Sequence, residues 1–187
     1  MSWPVALVFG YLLLAIELVI PAELRIGSGD VAPSFIVPFV VYIAMFAPAM
    51  VAYWAAVWTG LALDLASPRG AEAFIIVGPN AIGLLAAAYV VVTLRAVVNR
   101  NPLALVVFSI IAAAMCGLVV VAIFTLRSWY TPQIVWHAGG ELSSRLFSAV
   151  YTGLSAAVVG LCLFPLHGLF RFQDPYARRV GASARAF

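Results

Sequence analysis

Residues 31–70 read VAPSFIVPFVVYIAMFAPAMVAYWAAVWTGLALDLASPRG, and Val31–Leu63 carries no charge over 33 positions. As one helix that run would be about 50 Å long at 1.5 Å per residue, well beyond a hydrocarbon core of about 30 Å. It holds Pro33, Pro38 and Pro48, and a proline inside a helix removes a hydrogen bond and clashes with the preceding turn. The run reads as two short helices, about 34–47 and 49–66, meeting in a tight turn before Pro48. One long kinked helix is the alternative.

Outward from this centre the charges cut the chain into further apolar blocks. Met1–Ile16 continues past Glu17 to Pro21, and Ala73–Leu94, Asn101–Leu126 and Leu146–Phe170 follow. The expected fold is all-α: a polytopic membrane protein, a six-helix transmembrane bundle with both termini cytoplasmic. Its spans lie at about 3–21, 34–47, 49–66, 73–94, 102–126 and 146–170, with a basic cytoplasmic tail at 171–187; the kinked alternative gives five spans. Composition demands the same solvent. The 187 residues are 65% hydrophobic and 9% charged, with a mean hydropathy of +1.11. A soluble domain is about 45–50% apolar and about 25% charged, so disorder, a disulfide-stapled module and a nucleic-acid binder are excluded.

All ten basic residues are Arg. With six spans, Arg95, Arg100, Arg171, Arg178, Arg179 and Arg185 share one side, against Arg25, Arg69, Arg127 and Arg145 on the other. Arg near helix ends favours the cytoplasm, so both termini are expected inside. In 171–187, four Arg face the single Asp174, a juxtamembrane cationic segment that anionic headgroups attract. The first block lacks a basic n-region and is interrupted by Glu17, so it reads as a retained anchor and not as a signal peptide. The largest polar segment is Arg127–Arg145, in which Trp129, Tyr130 and Trp136 suit the headgroup belt.

Intramembrane carboxylates are costly, which makes Glu17 and Asp64 the first functional suspects. Glu17 sits near the end of its helix, where it is expected to snorkel outward in a structural or interfacial role. Gly60, Asp64 and Pro68 follow at i, i+4, i+8 on one helix face, and Arg69 is a possible partner for Asp64. Pro79-Asn80 reads as a kink whose Asn hydrogen-bonds across helices, or as a broken helix beside a ligand cavity. Gly153, Ala156, Ala157 and Gly160 form a small-residue stripe that lets another helix approach. Catalysis is not expected. Ser155 and His167 lie about 18 Å apart along one expected helix. Asp64 has no second carboxylate placed to share a site with it, and no Asp cluster offers to hold Mg²⁺. Cys116 and Cys162 are isolated and apolar-flanked, so neither a metal site nor a disulfide framework follows, and no cofactor is expected.

Ala32-Pro33, the apolar stretch after it and Gly60-Leu61-Ala62-Leu63-Asp64-Leu65-Ala66-Ser67-Pro68-Arg69-Gly70 resemble the MreD family of the bacterial rod-shape machinery. In that pattern a proline-led apolar run ends in Gly-x-x-x-Asp and a small-residue turn with Pro and Gly. Helix order, chain length and a short basic tail agree over most of the chain, but only Gly60–Gly70 is distinctive. The resemblance implies a non-enzymatic inner-membrane scaffold of the elongation complex. It would bind an MreC-like single-span periplasmic partner and, through it, the peptidoglycan synthases and the actin-like filament. Gly60, Asp64, Pro68 and Gly70 are the matching positions; Pro79-Asn80 and the Trp-rich Arg127–Arg145 segment have no counterpart in it. The architecture is also similar to that of substrate-binding subunits of vitamin transporters, which would imply an outward pocket lined by Asn80, Trp129 and Trp136.

Overall fold

The computed structural model describes residues 2–24, 31–66, 77–96, 101–130 and 137–170. Among them the chain is all-helical, with α1 (Trp3–Glu23), α2 (Ile36–Phe46), α3 (Ala49–Ala66), α4 (Pro79–Leu94), α5 (Pro102–Ser128), α6 (Ala138–Leu163) and α7 (His167–Phe170). Three of these, α3, α5 and α6, are long and apolar enough to cross a membrane, while α1, α2 and α4 offer shorter apolar stretches. The long apolar run does divide, and Pro48 follows the break. Ala47 is extended (φ −85°, ψ 162°), as the residue before a proline prefers to be.

Prolines here mark helix beginnings. Pro4, Pro38, Pro79 and Pro102 each fall within the first three residues of α1, α2, α4 and α5. The first-turn N–H groups have no intrahelical acceptor, so proline's missing donor is harmless there and its fixed φ suits the helix. This corrects the expected kink at Pro79. Val77 and Gly78 are not helical, α4 opens at Pro79, and the start near 73 does not extend into it. Gly78 has φ +126°, a conformation open to glycine and strained for a side chain.

Two further boundaries differ from the sequence reading. Both ends of the polar Arg127–Arg145 segment are helical: α5 runs on to Ser128 and α6 begins at Ala138, with Glu141 and Arg145 paired at 2.8 Å across one turn. Polar character hid this extension, because the segment was judged by its hydropathy alone. At the other end α6 stops at Leu163, and a turn at 164–166 containing Pro165 separates it from α7.

The bundle is built around α2, which is buried from Ile36 to Met45 and packs against α1, α3, α4, α5 and α6. At about 16 Å it is too short to cross alone. The non-helical residues 31–35 bring the chain to its start. α5 and α6 form a close antiparallel pair: a Cβ on Gly153 would lie 2.8 Å from Ile110 Cδ1, and one on Gly160 would lie 3.0 Å from Leu105 Cδ2. The stripe expected on α6 therefore contributes to packing within this chain. Ala156 is buried, but Ala157, at the edge of the same face, is exposed. A one-residue step rotates a helix by about 100°, and Ala157 is carried out of the contact.

The start of α1 and the short α7 close on each other. Ser2 donates its backbone N–H to the Phe170 carbonyl at 2.9 Å and its hydroxyl to the Leu169 carbonyl at 2.8 Å. Beneath them Tyr42, Phe46, Phe164, His167 and Phe170 form an aromatic cluster, with Tyr42 Oη 2.9 Å from His167 Nδ1. The first and last described elements thus share one end of the bundle.

Candidate functional site

A helix start leaves backbone N–H groups without acceptors, and in a hydrocarbon medium no water replaces them. Two helices of this bundle begin inside it, and each start is met by a carboxylate from the preceding helix.

The first is α2. Glu17, one turn and a half before the end of α1, accepts from the backbone N–H groups of Phe35 and Ile36 through Oε2. It does not snorkel to the surface as expected. The unpaired donors and the positive end of the α2 dipole hold it inward. The non-helical segment leading into α2 is fixed from the other side by hydroxyls of α6. Ser148 accepts from Ala32 N at 3.2 Å, Thr152 accepts from Ser34 N at 3.0 Å, and Ser155 donates to the Ser34 carbonyl. Non-helical backbone is tolerated at membrane depth where protein groups satisfy it. The sequence reading weighs Ser155 only as a nucleophile and does not single out Ser148 or Thr152, although the i, i+4, i+7 spacing of the three is an available signal. At the opposite end of α2, Arg95 Nη1 donates to the carbonyls of Ala44 and Ala47. A cation at the helix C-terminus complements the anion at its N-terminus.

The second is α4, where the Gly60–Gly70 motif acts. Asp64 is 0% exposed. Its Oδ2 accepts from Gly78 N at 2.8 Å and Ala81 N at 3.4 Å, and its Oδ1 accepts from Asn80 N at 3.2 Å and Asn80 Nδ2 at 2.9 Å. One turn earlier, Gly60 makes room for that approach. A Cβ there would stand 2.6 Å from Ala81 N and 2.8 Å from the Asn80 carbonyl oxygen. Gly-x-x-x-Asp is therefore a clamp: the glycine admits the next helix and the aspartate holds its first turn. Pro68, Arg69 and Gly70 lie outside the described residues, so the expected Asp64–Arg69 pairing does too.

Of the expected pocket residues, Asn80 is buried against Asp64 and Trp129 is 74% exposed at the C-cap of α5. Trp136 lies outside the described residues. A cavity of about 230 Å³ among α1, α2 and α3 is apolar and lined by neither Asn80 nor Trp129; Trp3, Tyr11, Phe39 and Trp58 are among its walls. Among the described residues no three of His, Cys, Asp and Glu come together as metal ligands.

A direct expectation follows for Glu17. Glu17→Ala leaves two backbone donors unpaired and should lower stability by about 2–4 kcal/mol. Glu17→Gln keeps an acceptor oxygen and should lose about half of that. Denaturant unfolding in detergent micelles measures both; equal losses for the two variants would show that the carboxyl oxygens are not what α2 requires.

No protein-family model matches the chain, and neither does any curated protein or any solved structure.

Proposed function

We propose that the chain is a non-enzymatic scaffold of the bacterial inner membrane that belongs to the rod-shape machinery and holds an MreC-like single-span partner. The observation that carries this reading is the clamp of Gly60 and Asp64 on the first turn of α4. The stretch that resembles the MreD family has a structural task, and its buried carboxylate serves the fold. Glu17 is spent in the same way on α2. Six passes with both termini on the cytoplasmic side are compatible with the contact between Ser2 and Phe170.

The transporter reading draws less support. Broken helices build solute sites when their N-termini face an anionic ligand across a cavity. Here the N-termini of α2 and α4 are occupied by the chain's own carboxylates. The test is co-purification of tagged full-length chain, in mild detergent, with an MreC-like protein expressed beside it, together with depletion in a rod-shaped host. Recovery of a stoichiometric complex and rounding of depleted cells are expected. Absence of the complex together with normal rods would overturn the reading. A thermal-shift screen against vitamins tests the alternative, since ligand at 100 times its Kd stabilises by about 2.7 kcal/mol.

A further inference from the structure

We infer that the groove between α1 and α3 is the docking site of a single transmembrane helix from a partner protein, one that offers hydrogen-bond acceptors at mid-membrane depth. The proposal rests on the scaffold reading and gives its partner a place on the bundle. It begins from the way α1 is held. Ser2 fixes the start of α1 to α7, and Glu17 fixes its far end to α2. Between these two pins α1 meets α2 at Gly10, where a Cβ would lie 3.3 Å from the Phe39 ring, and stands off from α3. What results is the apolar cavity of about 230 Å³, floored by Phe39 and Ile43 of α2, with Tyr11 of α1 and Trp58 of α3 at its lips.

Tyr11 is 73% exposed and Trp58 63%, and both are deep. α1 and α3 start from the same end of the bundle, since Ser2 and Phe46 both meet α7. Tyr11 lies eight residues and Trp58 nine residues from the first residue of its helix, about 12 Å and 14 Å along the axes. That is close to the middle of a core about 30 Å thick. Tyrosine and tryptophan ordinarily sit at headgroup level, where the ring is in hydrocarbon and the polar end reaches water. At mid-depth no water reaches the Trp58 indole N–H or the Tyr11 hydroxyl, and among the described residues neither has a hydrogen-bond partner. Thr59, which also lines the groove, donates to the Ala55 carbonyl of its own helix. An unmet donor in hydrocarbon is costly, and an acyl chain cannot meet it. A helix bearing Ser, Thr, Asn or Gln can. Shape disfavours a second copy of this chain, because an isologous contact sets the concave groove against itself. One convex helix fills it, and Ala55 and Ala62 on its wall permit close approach.

The test uses the full chain co-expressed with the MreC-like protein. The photoreactive amino acid benzoylphenylalanine is placed at Leu7, on the rim of the groove, or at Leu154, exposed on α6, as the control. Irradiation should join the partner helix to position 7 and not to position 154. Affinity is read by energy transfer between labelled proteins in vesicles. Trp58→Phe keeps a ring and loses the N–H, so it should weaken the complex about 5-fold. Trp58→Ala should weaken it about 30-fold, the effect of an interface hot spot. Ala62→Phe, which fills the groove, should abolish it, and Leu154→Ala should leave it unchanged. Unfolding of each variant alone confirms an intact bundle. A complex that forms but crosslinks from position 154 and not from position 7, or that ignores every Trp58 and Ala62 variant, overturns the docking site and leaves the scaffold reading standing. Adducts of position 7 with a second copy, or with lipid alone, overturn it as well. Failure of the unaltered chain to form any complex removes the scaffold reading and the docking site together.

Discussion

Asp64→Ala is expected to lower the unfolding free energy by about 3–5 kcal/mol, the range for leaving a buried, charge-assisted network without one member. Three backbone N–H groups and the Asn80 amide lose their acceptor at once. The first turn of α4 also loses the anion that its dipole favours. Against a typical stability of about 5–15 kcal/mol, the α3–α4 hairpin should open well before the rest of the bundle. Asp64→Asn retains one acceptor oxygen but brings an amide toward backbone donors, so roughly half of the loss is expected. The measurement is equilibrium unfolding in micelles, paired with hydrogen exchange at Gly78–Ala81. A change within about 0.5 kcal/mol for Asp64→Ala would mean that the clamp is not what fixes α4.

The second large effect is steric. At Gly60 even alanine places a methyl group against the Ala81 backbone, and backbone cannot rotate aside as a side chain can. Overpacking of a filled contact costs about 1–3 kcal/mol; Gly60→Ala should fall near the top of that range and Gly60→Val beyond it. Because displacing α4 also pulls Gly78–Ala81 away from Asp64, the double variant Gly60→Ala with Asp64→Ala should lose much less than the sum of the two. Neighbours acting on one contact behave so. Additive losses would show that the glycine and the aspartate serve separate purposes. The separation of α3 and α4, read by spin labels on the two helices, distinguishes a wedge from a general loss of stability.

The all-helical class was legible because lipid leaves so little choice. Length, charge spacing and the three prolines of residues 31–63 were enough to separate α2 from α3. The function of the remaining prolines was less visible, since proline in a helix interior and proline in a first turn look alike in one dimension. Pro79 became a helix start because Gly78 supplies the left-handed turn and Asp64 takes the donors, and neither relation is local in sequence. Glu17 was found for the right reason, its cost in hydrocarbon, but its partner is an N-terminus eighteen residues away, beyond the reach of any periodicity. The role of the three α6 hydroxyls is not legible, Ser155 being weighed only as a nucleophile, because serine and threonine in an apolar helix ordinarily satisfy themselves on the preceding turn, as Thr59, Thr93 and Thr125 do here. The non-helical segment that needs them carries no signal of that need in the sequence.

The dependence of α2 on its neighbours also sets an order of assembly. Its N-terminus needs Glu17, which is synthesised before it, but its C-terminal carbonyls wait for Arg95 and its leading segment for Thr152 and Ser155. A nascent chain halted after α3 would hold a short helix in the bilayer with one end unsatisfied and its approach exposed. Residues 31–46 therefore complete their burial only after α6 has emerged from the insertion machinery. The centre of the molecule thus depends on some of the last residues to be made, and a truncated chain lacking α6 would leave it incomplete.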